Sequence, residues 1–245
     1  MHGTRLRAQH GWPVTTGSYY FGLLEFETMA FLGHLLGAGD LLVDVGAHVG
    51  SYAILAGARD ARVVAVEPHP ESRHLLEEHV RMNNLGHQIE ILPHALDASP
   101  GTTWMTSRQG QQNHVMTAPS TDAMEVATST LNALCESHPP TAIKIDVEGF
   151  ELSVLRGGEA VLQHPALLAV CVETMGLARR YGSTDQEVVQ MLRDAGFEAI
   201  DYAVATRKLM PATNGKSMQI MVRAQDQVQR RLAEAHPIAY RDQRI

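Results

Sequence analysis

The residues with the most chemical capacity in this chain are carboxylic acids placed where apolar runs end. Asp44 lies in the run Leu41-Leu42-Val43-Asp44-Val45, and Glu67 closes Arg62-Val63-Val64-Ala65-Val66. Asp146 and Glu148 follow Ala142-Ile143-Lys144-Ile145, and Glu173 closes the run over 167–172. A carboxylate at a strand end can accept both hydroxyls of a ribose, counter an ammonium, or take a proton from an alcohol. Each of those tasks belongs to small-molecule chemistry at the edge of a sheet.

The glycine turn after the first run narrows the ligand. Asp44-Val45-Gly46-Ala47-His48-Val49-Gly50 joins a buried strand to a helix opening at Ser51, the arrangement that cradles nucleotides. A dinucleotide fingerprint needs glycine where Asp44 stands, so that a pyrophosphate can approach. An acid there repels a pyrophosphate but attracts the ammonium of S-adenosylmethionine. Gly46 and Gly50 permit close backbone approach, and Ala47, His48 and Ser51 complete the cradle. Glu67, 23 residues after Asp44, ends the next strand where ribose hydroxyls are held, with Pro68 behind it. The backbone at Ala95 and Leu96, after a third strand over 88–92, is placed to meet an adenine.

Within the fourth strand, Lys144 and Asp146 share one face by the two-residue period. A charged pair in a buried strand is costly unless partnered or used. An ion pair from Lys144 to Asp146 or Glu148 is the structural reading. The functional one makes Asp146 the base for an acceptor hydroxyl, with Glu148, Glu173 and His114 as further candidates and Lys144 as a catalytic residue beside them. His114 enters because histidine as a residue type can take a proton near neutral pH. Asp146 and Glu173, on adjoining strand ends, could also share Mg²⁺, but two acids are too few ligands to define a metal site.

These residues need a scaffold. The chain has 245 residues, 44% of them hydrophobic, enough for one sizeable core. Strands alternating with helical patterns predict a doubly wound α/β fold on a mainly parallel, seven-stranded sheet. The predicted divisions are an arm over 1–18, a catalytic domain over 19–223 and a tail over 224–245. A helix is expected to lead into the first strand, with Glu25 and Glu27 either pointing toward the cofactor or, as the preferred reading, on a solvated face. Residues 97–121, rich in Gly, Ser, Thr and Gln, read as a substrate-facing loop or hairpin. The strands over 197–205 and 217–223 close the sheet. The tail holds a turn or two of amphipathic helix through Val228 and Leu232, either capping an oligomer or frayed.

The net charge of −7, with Lys and Arg scattered, argues against a sequence-independent grip on nucleic acid. Cys135 and Cys171 fall in or beside apolar runs and read as buried thiols of a reducing compartment. No run approaches the roughly 20 apolar residues of a membrane span, which places the chain in the cytoplasm.

The ordered series Asp44-Val45-Gly46-Ala47-His48-Val49-Gly50, Val66-Glu67-Pro68-His69-Pro70, Ala95-Leu96, Lys144-Ile145-Asp146-Val147-Glu148-Gly149-Phe150-Glu151 and Leu155-Arg156-Gly157-Gly158 resembles the FkbM-type family of S-adenosylmethionine-dependent methyltransferases. The resemblance runs from about Leu41 to Glu173. It implies a class I, Rossmann-like methyltransferase fold and methylation of a small-molecule hydroxyl, often on a sugar or secondary metabolite. The chain departs from the family pattern in having His48 in the glycine loop and Asn132 after Thr130-Leu131. A nicotinamide-dependent oxidoreductase and a non-catalytic adenosyl-binding protein are the competing readings, opposed by Asp44 and by Lys144, Asp146 and Glu148 at the site face respectively.

Overall fold

A computed structural model describes residues 3–7, 23–107, 113–116, 118, 120–213, 215–240 and 243–245. Its centre is a set of short apolar strands: β1 (Leu41–Val45), β2 (Arg62–Val66), β3 (Ile89–Leu92), β8 (Ala142–Ile145) and β9 (Ala169–Glu173). These pair in parallel in the order β9-β8-β1-β2-β3. The chain runs outward from β1 through β2 to β3 and later outward on the other side from β8 to β9. The reversal of direction falls between β1 and β8, and in open α/β sheets ligands settle at the carboxyl ends of strands at such a point.

Alternation along the strands explains the two-faced burial. Leu42 of β1 joins one hydrophobic cluster, whereas Val43 and Val45 join the other. The first face is covered by α1 (Phe26–Leu35), α2 (Ser51–Gly57), α3 (Pro70–Met82) and α8 (Gln225–Glu234), which bring Phe31, Ile54, Leu76 and Leu232 into the core. The second is covered by α4 (Leu131–Cys135), α5 (Glu151–Arg156), α6 (Glu159–Gln163) and α7 (Asp185–Asp194), through Leu131, Leu155, Leu162 and Leu192. Proline opens α3, where its missing N–H costs nothing. Thr184 and Glu187 form a reciprocal capping box at the start of α7.

The sheet has eight strands where seven were expected. Beyond β9 lie three antiparallel strands, β12 (Met218–Val222), β10 (Glu198–Ala203) and β11 (Lys208–Pro211). The additional one, β11, lacks apolar alternation and ends in proline, which suits an edge strand and hides it from a pattern search.

Two other segments are more ordered than the sequence suggested. The stretch expected to form a substrate-facing loop or hairpin supplies the antiparallel pair β5 (Gly101–Thr106) and β6 (Val115–Met116) of a second sheet, completed by β4 (Ala95–Leu96) and β7 (Ala123–Ser129) in the order β4-β7-β5-β6. Residues 108–112, 117 and 119 of that stretch lie outside the described residues. In place of a helical turn or two, the C-terminal segment forms the ten-residue helix α8, whose Val228 and Leu232 are fully buried. Arg231 fastens it by an ion pair to Asp40, which also accepts a hydrogen bond from Thr141 at 2.9 Å. Among the described residues no helix is long and apolar enough to cross a membrane.

Candidate active site

The site is assembled where three strand ends are stitched together by their own backbone. Gly46 and Ala47 donate their amides to Val66 O at 3.0 and 3.1 Å, and Asp146 donates its amide to Val45 O at 3.1 Å. Gly46 is forced to be glycine twice over. Its φ is +74°, and a Cβ there would lie 1.9 Å from Asp146 O.

Glu67 locks this loop to the end of β2. Its Oε2 accepts from the His48 amide and its Oε1 from the His69 amide, both at 2.8 Å. Burial pushes its carboxyl up to about 7, against the lowering pull of those two amides. Burial, followed by the nearby Lys144 charge, takes His48 down to about 4, so its imidazole is neutral at physiological pH.

The loop after β8 is organised from beneath by Glu151, a role the sequence reading missed. Its Oε1 accepts from the amides of Val147 and Gly149, each at 3.1 Å, and the residue is 3% exposed. A carboxylate following an acid-Gly-aromatic turn was the signal for it. The amide of Gly149 comes within reach because this residue takes φ +103°, and a Cβ there would be 2.5 Å from Leu177 O. Glu148 is held at φ +56° and His48 at φ +51°, left-handed conformations that cost a non-glycine residue about 1 kcal/mol or more. Both strained residues line the same cavity.

That cavity, about 240 Å³, collects most of the predicted site residues: Gly46, His48, Glu67, Pro68, Ala95, Leu96, Asp146, Glu148 and Glu173. Val66, Leu96 and Pro68 give it an apolar wall next to the Glu67 carboxylate. Also on its wall are His69 and Phe150, which sequence reasoning did not assign to the site, and Met105 and Val115 from the stretch expected to face the substrate. Met105 and Val115 come from the second sheet, whose hold on the site runs through Tyr181: its hydroxyl donates to Val115 O at 2.8 Å and its ring meets Phe150 edge-on at 5.0 Å. His114 does not line the cavity, although its neighbours Asn113 and Val115 do; its backbone amide donates to Thr106 Oγ1 at 3.0 Å.

A smaller cavity of about 110 Å³ lies across the glycine loop. It is lined by Gly46, Ala47, His48, Ser51, Lys144 and Asp146 together with Glu25 and Tyr52. Glu25 and Glu27 therefore do not share a solvated face. Glu25 accepts the Tyr52 hydroxyl hydrogen bond beside this cavity, whereas Glu27 pairs with Lys216 and accepts the Tyr202 amide. Ser51 Oγ is buried there without a hydrogen-bond partner among the described residues. Gly50 lines neither cavity; it supplies the left-handed residue that starts α2, with φ +89°.

Asp44 and Lys144 sit deeper than expected. Paired in register on adjoining strands, they point into the layer beneath α1 and α2, with side chains 1% and 4% exposed. Lys144 Nζ lies 3.6 Å from Asp44, 3.1 Å from Asp146, and donates to Gly46 O at 2.9 Å. Asp44 lines neither cavity, so the carboxylate expected to meet a ligand's ammonium reaches the site only through Lys144. Burial works against the Lys144 ammonium, but Asp146 and Asp44 hold its pKa above the ordinary value.

Glu173 closes the acidic side. Burial, reinforced by Asp146, Glu148 and Glu151, pushes its carboxyl up to about 9. The sign of its effect on stability follows. With the folded value above the unfolded one, its contribution is complete below about 4.5 and is lost as pH rises toward 9. Glu173→Gln is therefore expected to melt progressively higher than the parent as pH is raised from 5 to 9. A melting difference that is the same at both ends would show that the acid cluster does not strain the fold. Among the described residues no group of three or more His, Cys, Asp or Glu side chains is arranged to hold a metal ion.

The sheet order, the cavity at its point of reversal and the acid-ended second strand define a class I methyltransferase fold. Residues 44–199 match the family described as the methyltransferase FkbM domain, and the chain belongs to that family. It is 27% identical over 159 residues to the hexuronic acid methyltransferase AglP of Haloferax volcanii, a match covering 64% of this chain and 62% of the relative's length. In fold it is similar to the crystal structure of methyltransferase FkbM from Methylobacillus flagellatus KT, with a TM-score of 0.50 at 14% identity. That match covers 74% of this chain and 43% of the other.

Proposed function

We propose that this protein transfers a methyl group from S-adenosylmethionine to a hydroxyl of a small molecule, a sugar or a related metabolite. The observation that carries the reading is Glu67: a buried carboxylate, fixed by two backbone amides, on the wall of a cavity at the carboxyl edge of the sheet. Those residues fit an adenosyl group, with Glu67 for the ribose hydroxyls and Val66, Pro68 and Leu96 for the base. The adjoining cavity beside Ser51, Lys144 and Asp146 offers polar partners for an amino-acid end. S-adenosylmethionine, when bound, supplies an electrophilic methyl on a sulfonium.

The chain's own contribution is placement and proton handling. Asp146, shared by both cavities and steered by Lys144, is the carboxylate positioned to accept the acceptor hydroxyl's proton. Glu173, which carries a proton at neutral pH, can donate a hydrogen bond to the acceptor. The second sheet and the Phe150–Tyr181 pair form one wall of the acceptor side. Hexuronic acid methylation by the H. volcanii relative supports a sugar as acceptor.

Calorimetric titration of the purified chain with S-adenosylmethionine, S-adenosylhomocysteine and NAD tests the cofactor without requiring the acceptor. The two adenosyl-sulfur ligands are expected to bind and NAD is not. Glu67→Gln should weaken binding about 10–100-fold, the loss of a hydrogen bond to a charged group. Asp146→Asn should lower turnover about 10²–10⁴-fold, well beyond any weakening of S-adenosylhomocysteine binding measured on the same variant. NAD binding in place of the others, or full turnover by Asp146→Asn, would sink the respective assignment.

A further inference from the structure

The smaller cavity contains an acid that the fold itself does not use. Glu25 stands immediately before α1, where a carboxylate ordinarily serves the free amides of its own helix, yet its side chain makes no capping hydrogen bond there. It lines instead the cavity across the glycine loop, together with Leu24 and Met29 of the same stretch. Tyr52 sets its direction, because the Tyr52 hydroxyl donates to Glu25 Oε2. Tyr52 is in turn fixed: it is 8% exposed, packed in the core, and its ring centroid lies 5.5 Å from the Lys144 ammonium. Glu25 itself is only partly buried, and none of the ion pairs among the described residues includes it.

The other groups of that cavity suited to a cation are engaged elsewhere. Lys144 donates to the Gly46 carbonyl oxygen at 2.9 Å and stands 3.1 Å from Asp146, so the loop oxygen and the Asp146 carboxylate both already face an ammonium. Asp44 does not line the cavity at all. Lys144 feels Glu25 as well, but behind Asp146 and Asp44 and without an ion-pair contact. Glu25 is therefore the carboxylate on this wall with capacity to spare: one of its oxygens takes the Tyr52 hydroxyl, and a carboxylate can accept further donors at the other.

We infer that Glu25 binds the α-ammonium of S-adenosylmethionine, the task the sequence suggested for Asp44, and that Tyr52 is a positioning residue that aims the Glu25 carboxylate at it. This rests on the methyltransferase reading. An ammonium with three donors and a carboxylate with a free oxygen form a charge-assisted hydrogen bond, stronger than one between neutral groups. The cofactor is then gripped at its two ends by different stretches of chain, at the ribose by Glu67 of the turn after β2 and at the amino acid by the segment that leads into α1. A nucleoside that lacks the ammonium keeps the first grip and loses the second.

The test is calorimetric titration of the full chain with S-adenosylhomocysteine and with its des-amino analogue, in which hydrogen replaces the α-amino group. The parent is expected to bind S-adenosylhomocysteine about tenfold or more tighter than the analogue. Glu25→Gln should weaken S-adenosylhomocysteine about tenfold or more and leave the analogue within about a factor of two of its parent affinity. Glu25→Asp, which keeps the charge, should retain more of the preference than Glu25→Gln, and Tyr52→Phe, which frees the carboxylate without removing it, should lose a smaller part. Equal affinity of the parent for the two ligands, or equal losses of both in Glu25→Gln, would overturn the inference and leave the cofactor assignment standing. If Glu25→Gln does not fold, the comparison is made on Tyr52→Phe, where an unchanged preference overturns it. Failure of the parent to bind either ligand would instead remove the cofactor assignment, and this inference with it.

Discussion

Lys144→Met is expected to lower folding stability by about 3–5 kcal/mol at pH 7, the cost of stranding a buried charge, which for a chain of this size moves the melting temperature by roughly 10 °C. The reason is Asp44. Its side chain is 1% exposed, neither of its oxygens has a hydrogen-bond partner among the described residues, and Lys144 at 3.6 Å is its counter-charge. Burial already raises the Asp44 carboxyl above its ordinary value, with Lys144 pulling it back. Without the lysine the folded-state value climbs further. A raised carboxyl is least harmful below its unfolded value, so the variant's deficit should be small near pH 4 and widen as pH rises. Asp44→Asn combined with Lys144→Met should recover most of the loss, because no fully buried charge is then left unpaired; Asp146, which also loses Lys144, keeps a side chain 30% exposed to water. Thermal melts across pH decide it, and single and double variants that melt alike would mean that the pair contributes nothing.

The second large effect is expected at Gly46. Gly46→Ala puts a methyl group 1.9 Å from a backbone oxygen that has no freedom to retreat, since the same Asp146 residue donates its amide to Val45. Alanine must also be held at φ +74°, which by itself costs about 1–2 kcal/mol. The loop must leave the strand end or the Asp146 turn must move, and either displacement separates walls that both cavities share. Loss of detectable S-adenosylhomocysteine binding is expected, together with a melting temperature lowered by several degrees. Binding within a factor of a few of the parent would show that the tight approach of these two loops is dispensable.

How much of this was legible in the sequence follows from what kind of signal each feature leaves. The five parallel strands were readable because each is a short apolar run ended by an acid or a turn, and burial on both faces demands such runs. The residues around Glu67 that line the cavity were readable because their spacing is local to one strand-turn-helix unit. The depth of Asp44 was not, since it depends on Lys144 standing beside it from a strand 100 residues later in the chain. Edge strand β11 left no alternation to detect. The stretch over 97–121 was legible as a substrate-facing loop or hairpin, but its pairing with β7 and its tie to Tyr181, which bring Met105 and Val115 to the cavity, are long-range and leave no local signal. Glu151 was visible as a residue of the motif, but its task of gathering the Val147 and Gly149 amides is visible only once the chain has turned.

The peptide stretch from Gly46 to His48 divides two cavities and belongs to the wall of each. In effect it is a saddle, and a ligand that fills both sides has to straddle it. Straddling brings the benefit of a chelate. Once one end is seated, the other is delivered at a high effective concentration and gives up little additional freedom. Adenosine and methionine supplied as separate molecules should therefore bind far more weakly than one molecule that joins them across the ridge, even though every contact on either side is the same.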